Sequence, residues 1–136
     1  MLRALEISKN ALPCCIPNPP VGCVLVKNGE VVAEGYTQSI DGNHAEVQAL
    51  ESYSASNEGV TAYVTLEPCS FVGRTPACAN TLVESGVRHV VVAMLDPDTR
   101  NSGKGIEILR QAGVSVQVGL CAEQVSTFLE PYLGQS

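Results

Sequence analysis

Four side chains in this sequence of 136 residues have the types and spacing of a hydrolytic metal site: His44, Glu46, Cys69 and Cys78. An imidazole and two thiols are ligands that zinc accepts readily. Three protein ligands leave a fourth position for water, which is the catalytic arrangement and not the closed structural one. A closed site needs a fourth protein ligand, for which His89 and Cys14, Cys15, Cys23 and Cys121 are the candidates. Glu46 stands two residues from His44, and residues two apart on a helix point in widely different directions, so both cannot aim squarely at one ion. Glu46 is therefore assigned to carry protons to and from a zinc-activated water. A helix start at Cys69 or Cys78 favours the thiolate form. Taken singly, a His before a helix is a surface or cap residue and a Glu is a solvated charge; it is the combination with Pro68-Cys69 that carries the signal.

These residues need a scaffold, and the chain alternates the signals for one. Met1, Leu2, Leu5 and Leu12 have helical spacing, and Pro13 with the segment that follows ends that helix. The β-branched runs at 21–26 and 31–33 flank Asn28-Gly29, a hairpin signal. From His44 a helix runs through 44–56 with Asn43 as its N-cap. Strands follow at 60–66, 87–95 and 114–118, with helices at 77–85, 105–112 and 122–129 between and after them. A hairpin followed by alternating strands and helices predicts one domain over residues 1–136, a three-layer α/β/α sandwich with a five-stranded mixed sheet.

Composition narrows the partners. Hydrophobic residues make up 45% and charged residues 16% of the chain, as in an ordinary globular domain. The formal charge of -6 leaves only eight Lys and Arg, scattered along the chain, so a nucleic acid is not an expected partner. A single phosphate is not excluded, because one or two basic side chains hold it locally. The longest apolar run, at 90–95, is too short to span a bilayer, and the N-terminus lacks a signal-peptide pattern, so no membrane association and a cytoplasmic location are expected. In a reducing compartment the six cysteines read as core thiols or metal ligands.

His-x-Glu followed by Pro-Cys and a second Cys is the signature of the zinc deaminases, although its short form has two residues between the cysteines where this chain has eight. The intervening sequence PCSFVGRTPAC resembles the deaminase domain of the bifunctional riboflavin-biosynthesis deaminase/reductase family. So do PNPPVGCVLVKNGEVVAEGY at 17–36, HAEVQAL at 44–50, TAYVTLEPCS at 61–70 and DPDTRNSGKG at 96–105. The resemblance implies a cytidine deaminase-like fold and a Zn2+ cofactor on His44, Cys69 and Cys78, with Glu46 as proton shuttle and Asn18 as a substrate contact. It also implies a homodimer or homotetramer and, as substrate, the small aminopyrimidine 2,5-diamino-6-(5-phosphoribosylamino)pyrimidin-4(3H)-one. With the sequence ending at Ser136, a separate reductase is expected to act beside it.

Other positions bear on the substrate. Asn18, between two prolines, suits a ligand contact or an Asn turn. Arg74 suits a substrate contact, a loop anchor or a surface charge. Lys104, in Gly-Lys-Gly before a helix, suits a phosphate contact or a plain turn. Relative to the family's usual pattern, Phe71 and Thr37 each replace His, Cys15 replaces Thr and Asp98 replaces Asn. These changes, with Phe71 and Asp98 set among the substrate-contact candidates, open an alternative: the same build acting on another aminopyrimidine, pterin-like base, nucleoside or nucleotide. A non-catalytic zinc-binding module is the remaining alternative, and Glu46 speaks against it, since such a module needs no proton shuttle.

Overall fold

A computed structural model describes residues 1–39, 42–53, 55–56, 58–70 and 77–133. Helix α1 (Leu2–Ser8) runs into a 3₁₀ turn (Lys9–Ala11), followed by β1 (Gly22–Lys27), β2 (Glu30–Tyr36), α2 (Ala45–Glu51) and β3 (Val60–Val64). Then come α3 (Cys78–Ser85), β4 (His89–Val92), α4 (Lys104–Gln111), β5 (Ser115–Val118), α5 (Ala122–Leu129) and a closing 3₁₀ turn (Glu130–Tyr132). The five strands form one sheet in the order β2-β1-β3-β4-β5. β1 is antiparallel to both β2 and β3, whereas β3, β4 and β5 are mutually parallel, so the sheet is mixed as predicted. The hairpin turns at Asn28 and Gly29, with φ of 54° and 78°, values that suit an Asn-Gly pair.

Period-2 alternation assigns the two faces. On one, Cys23, Leu25, Ala62, Val64, Val90 and Val92 meet Ala45 and Ala49 of α2, Ala79 and Leu82 of α3, and Ile106 and Leu109 of α4. On the other, Val24 packs with Ala4 and Ile7 of α1, and Leu66 and Ala93 with Val125 and Leu129 of α5. That is the three-layer sandwich. Contact between layers is close enough that a Cβ at Gly35 of β2 would overlap the carbonyl oxygen of Ala45, and one at Gly22 of β1 that of Ala4. Among the described residues, no helix is long and apolar enough to cross a membrane.

Several predicted boundaries shift, among them those of β2, which runs over Glu30–Tyr36, and β3, which ends at Val64. The N-cap of α2 is His44 and not Asn43, whose carboxamide instead donates to Glu51 Oε2 at 3.0 Å, and the helix ends at Glu51. Strand β4 stops at Val92 although the apolar run continues, and Ala93 and Met94 pack with Val125 and Leu129 of α5 while keeping backbone hydrogen bonds to Val64 and Glu67.

One end of the sheet collects the segments of interest. Antiparallel pairing sets Gly22 opposite Tyr36 and Cys23 opposite Val64. The segment before β1, with Asn18, thus enters where β2 leaves toward His44 and where β3 leaves toward Cys69. β4, parallel to β3, delivers the 96–105 loop to the same end. Crevices at the carboxyl ends of parallel strands are where α/β sheets bind ligands.

Candidate metal centre and active site

Each candidate metal ligand is fixed by the element beside it. His44 sits just outside α2 as its N-cap, with extended backbone (φ -72°, ψ 164°), while Glu46 lies in the first turn. Cys78 is the first residue of α3, and its N–H donates to Cys69 Sγ at 3.1 Å. A helix N-terminus therefore faces the Cys69 sulfur, which favours thiolate there. The Cys69 carbonyl in turn accepts the Ala79 N–H at 3.0 Å, so the loop and the helix start hold each other.

The ligand atoms of His44, Cys69 and Cys78 all lie within 4.8 Å of one another. His44 Nδ1 is 3.0 Å from Cys78 Sγ and 3.9 Å from Cys69 Sγ. Tetrahedral zinc with its usual bond lengths separates a nitrogen and a sulfur ligand by about 3.6 Å, between those two values. The donor set, one imidazole and two thiols, fits zinc. Among the described residues no fourth ligand joins the group, and His89 is exposed at the start of β4.

Glu46 is buried, 4% exposed, beside this cluster. Burial, and then the charge of Cys69, push its carboxyl up to about 7, against the opposing pull of His44, a backbone N–H and Cys78. Hydrogen bonding from Cys78 is the largest influence holding the Cys69 thiol down at about 4, with His44 helping and burial opposing. Cys78 is pushed upward as the donor of that pair and by burial. His44 is raised, chiefly by its hydrogen bond with Cys69.

The substrate candidates divide. Asn18 is half-buried, its N–H bonded to Cys15 O at 2.7 Å, and its carboxamide makes no hydrogen bond among the described residues. Thr37 is buried, and its hydroxyl accepts from the Val21 N–H at 3.0 Å and lies 3.3 Å from Pro19 O, so it fastens the segment that follows Asn18. Cys15 is fully buried. Asp98 forms a two-pronged pair with Arg100, 2.7 Å at its shortest, which holds its carboxyl down at about 2. Lys104 is exposed at the start of α4, where the N–H groups of Gly103, Gly105 and Ile106 are already bonded to Glu67 and Asn101. Any phosphate contact there falls to the Lys104 ammonium alone. Phe71 and Arg74 lie outside the described residues. Glu67 and Asn101 themselves are buried polar side chains that no spacing in the sequence marks.

A family model described as cytidine and deoxycytidylate deaminase zinc-binding region matches residues 1–94, a span that includes His44, Cys69 and Cys78. The chain is 43% identical over 124 residues to a diaminohydroxyphosphoribosylamino-pyrimidine deaminase of Buchnera aphidicola, covering 91% of this chain and 84% of that one. It is 45% identical over 133 residues to the riboflavin biosynthesis protein RibD of Escherichia coli, covering 98% of this chain and 36% of RibD. Among solved structures, RibD of Acinetobacter baumannii superposes with a TM-score of 0.93 at 43% identity, over 97% of this chain and 37% of that one. The chain thus spans little more than a third of its RibD relatives and most of the shorter Buchnera protein. With the matched region and the gathered candidate zinc ligands agreeing, this chain belongs to the cytidine and deoxycytidylate deaminase zinc-binding family.

Proposed function

We propose that this chain is a hydrolytic, zinc-dependent deaminase of a small pyrimidine, 2,5-diamino-6-(5-phosphoribosylamino)pyrimidin-4(3H)-one, in riboflavin biosynthesis. The observation that carries the reading is the convergence of His44, Cys69 and Cys78 within 4.8 Å, with the Glu46 carboxylate buried beside them. The names of the Buchnera and RibD relatives supply the substrate class.

His44, Cys69 and Cys78 would hold the zinc, which when bound supplies Lewis acidity and an activated water. Glu46 would take one proton from the attacking water and deliver it to the pyrimidine ring nitrogen, then carry that water's second proton to the amino group, which leaves as ammonia. Its burial keeps bulk water from competing for those protons. The Asn18 carboxamide, without a hydrogen bond among the described residues and at the same end of the sheet, offers both a donor and an acceptor to the ring edge. Arg74 and Lys104 supply candidate cations for the phosphate. Assembly as a homodimer or homotetramer belongs to the same reading and is checked by light scattering.

A second reading keeps the chemistry and changes the substrate. It is favoured by how two substituted positions are occupied: the Thr37 hydroxyl is bonded to backbone and the Asp98 carboxylate to Arg100. Ammonia release from the zinc-loaded protein, measured against the diaminopyrimidine phosphoribosyl compound and a panel of other aminopyrimidines, nucleosides and nucleotides, separates the readings. Turnover of the first compound above all others supports the riboflavin assignment, preference for another supports the second reading, and no release from any removes the enzyme reading.

A further inference from the structure

The two residues that precede Cys69 are tied to a part of the chain some 35 positions away. Glu67, 3% exposed, accepts the N–H of Asp96 at 3.0 Å and of Gly103 at 2.9 Å on Oε1, and that of Ile106 at 3.2 Å on Oε2. Among the described residues it forms no ion pair, so these three N–H groups and the positive end of α4 are what compensate its burial. The N-cap of α4 is Gly103, which has no side chain to cap with, so Glu67 does that work from across the fold. Fully buried Asn101 completes the tie: its Nδ2 donates to Pro68 O at 3.2 Å and its Oδ1 accepts the Gly105 N–H at 3.2 Å. Gly105 presses so closely on Pro68 that a Cβ there would overlap the Pro68 carbonyl.

We propose that Glu67 and Asn101 are positioning residues for the Cys69 sulfur, forming a latch between the ligand-bearing loop and the start of α4. This rests on the reading of Cys69 as a zinc ligand. A metal ligand on a loop holds its place only if the backbone before and after it is fixed. After Cys69 that is done by the helix start of α3; before it, the only polar side chains serving residues 67–68 among the described residues are this pair. Residues that orient ligands without touching the metal typically contribute about 10- to 100-fold to its affinity.

The test is zinc affinity by competition with a chromophoric chelator, together with kcat, KM and urea unfolding, on Glu67→Gln, Asn101→Ala and the control Leu109→Ala. Leu109 is a fully buried residue of α4 that touches no part of the latch hydrogen bonding, so its truncation lowers stability through packing alone. Glu67→Gln keeps the volume but turns one acceptor into a donor facing backbone N–H groups. The expected result is zinc bound about 10- to 100-fold more weakly in both latch variants, with kcat falling more than KM rises, while Leu109→Ala unfolds earlier in urea yet binds zinc within twofold of the parent. Should one latch variant fail to fold, the other decides. Latch variants that bind zinc within twofold of the parent, or a Leu109→Ala loss as large as theirs, would overturn the latch. A parent that binds no zinc at all would overturn the metal-site reading as well, so the two failures are distinguishable.

Discussion

His44 Nδ1 and Cys78 Sγ face each other at 3.0 Å, although they come from the starts of two different helices, α2 and α3. The pair is closer than two zinc ligands need to be, and Cys69 at 3.9 Å from the same nitrogen is slightly farther, so a small adjustment of each would accommodate the ion. One zinc per chain is the expected stoichiometry by elemental analysis of protein purified without chelator. Cys69→Ser combined with Cys78→Ser should reduce it to a trace; full retention of metal in that variant would remove both residues from the ligand set.

Glu46→Gln should keep fold and zinc while turnover drops by about 10² to 10⁴, the range for losing a general acid–base group. The amide fills the same buried volume but cannot accept a proton. Metal content and circular dichroism serve as controls, and turnover within a few-fold of the parent would take Glu46 out of the mechanism.

Gly35→Ala probes how β2 positions α2. The added Cβ would overlap Ala45 O and lie 2.6 Å from the Ala49 nitrogen, so the helix bearing Glu46 and following His44 must move. Overpacking of this kind costs about 1 to 3 kcal/mol. Urea denaturation should register that loss, and deamination should fall by more than the loss of folded protein explains. Unchanged stability and activity would show that α2 shifts without consequence.

Phe71, proposed as a substrate contact, gives a test of specificity. A His there offers a hydrogen bond that Phe lacks, so the riboflavin-pathway compound is expected to be processed less efficiently than by typical relatives, and Phe71→His to raise its kcat/KM by roughly tenfold, the worth of one such bond. A parent already as efficient as those relatives, with no gain in the variant, leaves the plain riboflavin assignment standing.

Much of this could be read from residue types alone, for reasons the structure makes concrete. Asn28-Gly29 and Gly86 mark turns because their positive φ values exclude most other residues, so the hairpin and the end of α3 fall where the sequence places them. The grouping of His44, Cys69 and Cys78 is legible because few other roles bring an imidazole and two thiols together beside Pro68. Asn43 misleads, since an Asn before a helix resembles a cap whether its carboxamide reaches the first turn or, as here, Glu51. The latch is invisible in sequence, because Glu67 and Asn101 follow no period and act through backbone partners that only the folded chain brings near. Asp98 likewise reads as an available pocket carboxylate until Arg100, two residues on, is seen to occupy it.

The antiparallel placement of β1 between β2 and β3 also divides the molecule by use. Because the segments bearing the site gather at one rim, the opposite rim holds the Asn28-Gly29 turn and the starts of β3, β4 and β5, away from His44, Cys69 and Cys78. Asn28 and Gly29 are exposed there, at a strand connection of the kind that tolerates added sequence. That turn is thus a natural graft point: an affinity tag, a fluorophore anchor or a fused domain inserted between Asn28 and Gly29 would report on the protein from the far side of the sheet, leaving the chemistry undisturbed.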